Sequence, residues 1–97
     1  MLVVITYDVC TDDAAGRARL RKVAKECTNY GKRVQNSVFE CILDYGESRK
    51  VKGILEKIID AKKDSLRFYY LGNNYEGKIE HIGAKATLRV EKDVLMF

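Results

Sequence analysis

The sequence predicts one mixed α+β domain whose elements follow the order βαββαβ. Three observations predict this order: residues 2–7 form an apolar run without charge, two later segments repeat apolar residues at helical spacing, and extended segments lie between and after them. The order is typical of the ferredoxin-like sandwich, in which two helices cover the same face of one sheet. Because 97 residues leave room for one core, residues 1–97 are predicted to form a single domain.

The first strand and the first helix are predicted from the opening third of the chain. Residues 2–7 are rich in β-branched and aromatic side chains, which favour strands. The polar residues 10–13 can cap the start of a helix, and Gly31 is expected to end that helix. The apolar face of the helix is formed by Leu20, Val23, Ala24 and Cys27.

An extended segment and a second helix follow in the middle of the chain. Residues 33–44 alternate between two faces, with Phe39, Cys41 and Leu43 on one of them. They form either one long strand or two strands with a break at Asn36-Ser37. The second helix is predicted from the apolar face Val51, Ile54, Leu55, Ile58 and Ile59.

The last third of the chain is predicted to contain a strand at 65–71, a loop at 72–74, a strand at about 78–83 and a short apolar tail at 94–97. Both faces of the first strand are largely apolar, whereas two helices can cover only one face of the sheet. A second copy is therefore predicted to cover the other face in a homodimer. The tail is an extra C-terminal strand that is expected to pair with the partner protomer.

Composition and cysteine spacing exclude several classes of protein. Cys10, Cys27 and Cys41 form no C-x-x-C pair, and His81 is the one histidine. Neither a structural zinc site nor a catalytic site built on histidine is therefore expected. Cys27 and Cys41 are predicted to be small buried residues. Since no apolar segment is long enough for a signal peptide or a membrane span, we predict a cytoplasmic protein without membrane contact.

The formal net charge of +4 is concentrated in one segment of the chain. Residues 16–33 contain seven Lys or Arg residues and one acidic residue, Glu26. Within this segment Arg17, Arg21 and Lys25 recur every fourth residue, so they are predicted to form a cationic stripe apart from the apolar helix face. Such a segment is typical of proteins that bind a phosphate backbone, and it is equally compatible with a solvated helix face.

Asp8 ends the apolar first strand and has two interpretations. A carboxylate at the carboxyl end of a buried strand lies where open α/β sheets place ligands and metals. An aspartate at this position can also cap the turn before a helix. The local sequence leaves both interpretations open. Asp12 and Asp13 can reach the same site as Asp8, but the favoured interpretation is that they are partners of the helix start.

Several short segments together favour the first interpretation of Asp8. The basic helix is followed by Tyr30-Gly31 and by residues 33–40, which read RVQNSVFE. Near the start of the chain, Tyr7-Asp8-Val9 ends the first strand. Residues 64–69 and 78–83 are the later segments that belong to the same set. In this order and spacing the segments resemble the small CRISPR-associated adaptation protein, the second Cas family ("Cas two"). The resemblance covers essentially the whole chain.

The resemblance implies a ferredoxin-like homodimer of a bacterial or archaeal immune system. Such a dimer joins the CRISPR integrase, captures foreign DNA and helps to insert it as spacers. The resemblance also implies an endonuclease that uses Mg²⁺ (or Mn²⁺) on single-stranded RNA or duplex DNA. By position, Asp8 matches the catalytic metal ligand and Tyr7 a second catalytic residue. The positions interpreted as nucleic-acid contacts are Arg17, Arg19, Arg33 and Phe39. The family pattern further divides residues 33–44 into a short edge strand and a longer central strand.

These observations lead to two functional hypotheses. In the first, Asp8 from two chains binds Mg²⁺ at the dimer axis, because a single carboxylate is a poor site, and arginines hold the phosphates. In the second, the dimer is a non-catalytic scaffold that bridges the integrase and presents basic surface to duplex DNA. Tyr7 and Phe39 have rings that can stack on a base, but core burial is the favoured interpretation of Phe39. A regulatory or RNA-recognition domain lacks supporting motifs.

Overall fold

The structure is a computed structural model that describes residues 1–71 and 79–83. Its elements are β1 (Leu2–Asp8), α1 (Ala14–Thr28), β2 (Gly31–Gln35), β3 (Val38–Ile42), α2 (Tyr45–Ile58), β4 (Ser65–Tyr70) and β5 (Ile79–Gly83). The predicted order βαββαβ, with a further strand near 78–83, is confirmed. The predicted loop at 72–74 lies outside the described residues, as does the apolar tail at 94–97 with its expected pairing to the partner protomer.

The strands form one antiparallel sheet in the order β2-β3-β1-β4-β5. β1 lies in the middle, where it pairs with β3 from Leu2↔Ile42 to Thr6↔Val38 and with β4 up to Asp8↔Ser65. This placement of the first strand between the third and fourth, with β2 outside β3, confirms the predicted ferredoxin-like α+β sandwich. None of the helices in the described part of the chain has the length and hydrophobicity that crossing a bilayer requires.

Both helices pack on the same face of the sheet and enclose the hydrophobic core. The side chains that β1 sends to this face are Val3, Ile5 and Tyr7. They meet core residues of the two helices, Val23, Ala24, Cys27, Val51 and Leu55. Burial of these apolar groups supplies the main driving force for folding. Cys27 and Cys41 are buried, as predicted, whereas Cys10 is exposed.

Each helix begins at an aspartate that caps it. The Asp13 carboxylate accepts a hydrogen bond from the Gly16 N–H at 2.6 Å, which confirms the cap predicted within residues 10–13. Asp44 and Glu47 form a reciprocal capping box at the start of α2. The expectation that Gly31 ends α1 is wrong, because the helix ends at Thr28 and Gly31 begins β2. A side chain on Gly31 would place its Cβ 1.9 Å from the Glu40 carbonyl oxygen, so the strand pairing requires glycine.

Residues 33–44 belong to two strands rather than one. The chain turns at Asn36-Ser37, which settles the alternative that the sequence left open. β2 and β3 contain five residues each, so the longer central strand implied by the resemblance is not found at β3. The pairing shifts between Arg33 and Gln35, which indicates a bulge beside the turn.

The sheet face away from the helices is partly buried within the single chain. Val4 and Tyr69 pair across β1 and β4 on this face, and they are 2% and 0% exposed. Arg67, on the same face, is also buried. The premise that this face is left open is therefore wrong at its centre and holds only at its margin, where Ile42 is 67% exposed. The homodimer itself stays a prediction.

Candidate metal and nucleic-acid site at one end of the sheet

Asp8 lies at the end of the central strand and is exposed. The six residues before it are apolar or uncharged, so the core holds the strand while its last residue reaches the surface. Asp8 pairs with Ser65 at the start of β4, and Ser65 pairs in turn with Gly83 at the end of β5. On the other side, the Tyr7 N–H donates to the Ser37 carbonyl at 2.9 Å. The start of β4, the end of β5 and the β2–β3 turn therefore lie at the same end of the sheet as Asp8.

Two exposed arginines are anchored to loops at this end. The Arg33 side chain donates from Nε and Nη2 to the Asn36 carbonyl, at 2.8 and 2.5 Å, in the β2–β3 turn. Arg17 Nη1 donates to the Thr11 carbonyl at 2.9 Å, in the loop that follows Asp8. Each contact ties a guanidinium group to a segment adjoining the end of β1. Among the residues that the sequence singled out, Asp8, Arg17 and Arg33 thus lie at the same end of the sheet.

The cationic stripe predicted on α1 is present. Arg17, Arg21 and Lys25 are exposed, while Val23 and Cys27 of the same helix are buried in the core. Their spacing of four residues places them on neighbouring turns of one helix side. The stripe therefore extends a basic surface along α1 from the end of the sheet that carries Asp8.

Arg19, at the same end of the sheet, is engaged in an ion pair with Asp64. Its Nε and Nη2 atoms donate to the two carboxylate oxygens of Asp64 at 2.8 and 3.1 Å. The side chain of Asp64 is fully buried, and that of Arg19 is 18% exposed. Burial raises the pKa of the Asp64 carboxyl, but hydrogen bonds from Arg19, Tyr7 and the Asp60 N–H outweigh it and hold the pKa below its usual value. Arg19 is therefore committed to a buried carboxylate.

Tyr7 and Phe39 are buried as well. Tyr7 is 1% exposed, and its hydroxyl donates to Oδ2 of Asp64. Burial and this hydrogen bond raise the pKa of the Tyr7 hydroxyl well above its usual value, so the group stays protonated. Phe39 is 0% exposed and belongs to the core, with the Arg33 guanidinium carbon 5.7 Å from its ring centroid. The structure thus places both rings away from a surface on which a base can stack.

Asp64 is the residue of this region to which sequence reasoning assigned no role. Asp64 lies directly before the buried strand β4, and a charged residue at the start of an apolar strand is the sequence feature that points to it. This feature does not identify the partners of Asp64, because Tyr7 and Arg19 lie 57 and 45 residues away in the sequence. Only the sheet register and the packing of α1 bring the three together.

The donor set at this end fits a magnesium ion in part. The described residues hold no group of three or more His, Cys, Asp or Glu side chains placed to bind a metal ion. Mg²⁺ accepts one or two carboxylates and completes its shell with water and phosphate oxygens. The exposed Asp8 carboxylate has the required hard oxygen chemistry, and Asp13 is engaged as the α1 cap. Asp12 is also exposed in the loop after β1, whereas the strand end itself offers the Asp8 carboxylate, to which a second copy of the chain would add its own Asp8.

Comparison with known proteins places this geometry in context. Residues 1–79 match the family model described as CRISPR associated protein Cas2. The chain is 60% identical over 97 residues, covering all of both chains, to the CRISPR-associated endonuclease Cas2 of Halalkalibacterium halodurans. It is 51% identical over 96 residues, covering 99% of this chain and 100% of the relative, to the CRISPR-associated endoribonuclease Cas2 of Chlorobaculum tepidum. The crystal structure of Streptococcus pyogenes Cas2 at pH 6.5 superposes with a TM-score of 0.74 at 54% identity, covering 86% of this chain and 100% of that one.

Proposed function

Because this chain belongs to the Cas2 family of CRISPR-associated proteins, we propose that it is a divalent-metal-dependent endonuclease that hydrolyses phosphodiester bonds in nucleic acid. Two relatives carry the names endonuclease and endoribonuclease, which supports this class of reaction. One observation carries the proposal to particular residues. The exposed Asp8 carboxylate ends the central strand, and Arg17 and Arg33 donate hydrogen bonds to the loops beside it.

The Asp8 carboxylate would hold Mg²⁺, or Mn²⁺ in its place. When bound, the ion supplies an activated water and neutralises charge that develops on the phosphate oxygens. Because the strand end itself offers one carboxylate per chain, the complete site takes Asp8 from both members of a homodimer. The buried strand fixes the position of each Asp8, so two copies related by symmetry present equal ligands.

Arg17 and Arg33 would bind the phosphate backbone on either side of the reacting bond. A guanidinium group donates two parallel hydrogen bonds to phosphate oxygens and keeps its charge at every physiological pH. Contacts of this kind position the polymer without reading its bases. Single-stranded RNA and duplex DNA are therefore both candidate substrates.

Within the immune system, we propose that the dimer joins the CRISPR integrase and helps to capture foreign DNA for insertion as spacers. The names of the relatives support a role in CRISPR systems. The exposed stripe Arg17, Arg21 and Lys25 supports contact with the DNA backbone.

A second candidate function is a non-catalytic scaffold, in which the dimer bridges the integrase and only binds duplex DNA. The observation that favours it is the presence of a single exposed carboxylate at the end of β1 and no larger metal-binding group among residues 1–71 and 79–83. In this case the basic surface is essential and Asp8 is dispensable.

Cleavage of labelled single-stranded RNA and duplex DNA, with Mg²⁺ or with EDTA, tests the two candidates. The proteins compared are wild type, Asp8→Asn and the control Asp44→Asn. Asp44 caps α2 at the opposite end of the sheet, and asparagine caps equally well. If the protein is an endonuclease, cleavage requires Mg²⁺ and stops with EDTA. Asp8→Asn then abolishes cleavage, and Asp44→Asn leaves it intact. Cleavage that survives Asp8→Asn overturns the proposed role of Asp8. Absence of cleavage together with salt-sensitive DNA binding establishes the scaffold instead.

A further inference from the structure

A fully buried carboxylate, Asp64, collects hydrogen bonds from three parts of the chain. The Tyr7 hydroxyl of β1 donates to it, and so does the Arg19 guanidinium of α1, at 2.8 and 3.1 Å. The backbone N–H of Asp60 donates to the same carboxylate at 3.0 Å. The carboxylate thus fastens the end of the central strand to the first helix and to the loop that precedes β4.

This network lies directly behind Asp8. Tyr7 precedes Asp8 in β1, and Asp64 precedes Ser65, the residue that pairs with Asp8. Because side chains alternate along a strand, Tyr7 points into the core while Asp8 points to the other face. Asp8 and its pairing partner Ser65 therefore each follow a residue of the buried network.

A third strand holds Asp64 from the other side. Gly83 of β5 pairs with Ser65 and has a φ of +125°. An added Cβ there would lie 1.9 Å from the Asp64 carbonyl oxygen. The backbone of Asp64 is thus enclosed by the last residue of β5, and its side chain by Tyr7 and Arg19.

We propose that Asp64 is a positioning residue for Asp8. Through Tyr7 and Arg19 it fixes the end of β1 against β4 and α1, and so sets where the Asp8 carboxylate stands. Tyr7 and Arg19 then contribute to activity through Asp64 rather than by touching nucleic acid. This inference rests on the proposed function of Asp8 as a metal ligand.

Stability alone is a weak explanation for such a network. A buried ion pair can often be replaced by apolar residues of similar volume without loss of stability, because desolvation of the two charges offsets their attraction. What a fully satisfied network provides is one defined arrangement of the elements it joins. Groups that orient a metal ligand typically change metal affinity or activity 10–100-fold when they are removed.

Titration with Mn²⁺ tests the inference without relying on cleavage. The proteins are wild type, Asp8→Asn, Tyr7→Phe, Asp64→Asn and the double variant Tyr7→Phe/Asp64→Asn. The control is Tyr45→Phe, which removes a hydroxyl that accepts a hydrogen bond from Arg49, at an exposed position on α2. Tyr7→Phe removes only the hydroxyl and keeps the ring in the core, so it is expected to fold. Circular dichroism and sedimentation first establish equal folding and equal oligomeric state.

The expected result is that Asp8→Asn abolishes Mn²⁺ binding and Tyr7→Phe weakens it about tenfold. Tyr45→Phe binds as wild type does. The double variant binds no more weakly than Asp64→Asn, because both changes break one network. In cleavage assays Tyr7→Phe lowers kcat and leaves KM for the nucleic acid unchanged, a pattern that reduced stability does not produce in a fully folded protein.

Two contrary results separate the possible failures. If Asp8→Asn loses Mn²⁺ and Tyr7→Phe binds it as wild type does, the positioning role is overturned and the proposed function stands. If wild type and Asp8→Asn bind Mn²⁺ equally, the proposed metal site is overturned and the positioning role with it. Should Asp64→Asn fail to fold, Tyr7→Phe against Tyr45→Phe decides the matter alone.

Discussion

The guanidinium of Arg33 lies against the ring of Phe39, with its carbon 5.7 Å from the ring centroid. The two residues face each other in the β2–β3 pairing, Arg33 exposed and Phe39 fully buried. A cation over an aromatic face is attracted by the ring quadrupole. The buried Phe39 ring therefore helps to fix the position of the Arg33 guanidinium, and the exposed arginine is the residue of the pair that can contact a phosphate.

We predict that Arg33→Gln weakens binding to duplex DNA and lowers its salt dependence. Loss of one phosphate contact reduces the log–log slope of affinity against salt by about 0.9. The matched control is Arg49→Gln, since Arg49 is exposed and lies 5.7 Å from the Tyr45 ring at the start of α2. Fluorescence anisotropy at several salt concentrations measures both variants. An unchanged slope for Arg33→Gln, or an equal change for Arg49→Gln, contradicts the assignment of Arg33.

Two glycines are predicted to respond to alanine with opposite signs. Gly83→Ala forces a side chain into a φ of +125° and against the Asp64 carbonyl, so we expect a loss of about 1–3 kcal/mol in the free energy of unfolding. Gly53 lies inside α2 with nothing within 4 Å of an added Cβ, so Gly53→Ala is expected to gain about 0.5–1 kcal/mol. Urea denaturation measures both. Equal effects would show that the β5 contact with Asp64 is absent in solution.

Acid is predicted to weaken the fold through Asp64. Its folded pKa lies below the ordinary aspartate value of about 3.9, so below this pH the unfolded chain binds a proton that the folded chain does not. The contribution of Asp64 to stability is therefore complete above about pH 5 and is lost as pH falls through the folded pKa. Asp64→Asn cannot titrate, so its free energy of unfolding should decline less steeply over the same range. Parallel curves for the two proteins through the acid range would rule out this linkage.

In the native protein, the rate at which each cysteine reacts with a thiol reagent is predicted to depend on its burial. Cys10 is exposed, whereas Cys27 and Cys41 are buried and Cys41 Sγ donates to the Cys27 carbonyl at 3.4 Å. Interaction with the Cys41 thiol and burial raise the pKa of Cys27, which suppresses its reactive thiolate. We expect one rapid reaction per folded chain, none in Cys10→Ser, and full reaction after denaturation. Rapid reaction of all three thiols in the folded protein would contradict the packing of α1 on β3.

Much of the fold follows from local sequence, because each element carries its own period. The uncharged run of residues 2–7 indicates a strand, and the spacing of Val23 and Cys27 indicates a helix, without knowledge of which segments pack against them. A glycine after a helix suggests the end of that helix, whereas Gly31 is required by the close approach of the distant Glu40 carbonyl. Local patterns report what a segment forms, and they carry no information on which other segment approaches it.

The candidate site divides in the same way. Asp8 and the spacing of Arg17 with Arg21 could be recognised from strand ends and helix periodicity. The distinction between Arg17 and Arg19 could not, because both belong to one basic helix. Their difference arises from a carboxylate 45 residues beyond Arg19 that packing brings to one and not to the other.

The exposed strand β2 has a consequence for the protein at high concentration. All five of its residues are exposed, and among the described strands it forms the edge of the sheet beside β3, where an incoming chain can pair with its backbone. Lys32 and Arg33 place two positive charges on this short strand, and the shift between Arg33 and Gln35 disturbs its regular ladder. Two molecules that meet along this border repel each other and find no long, flat template. The strand that supplies Arg33 to nucleic acid thereby also discourages fibrous aggregation of the protein.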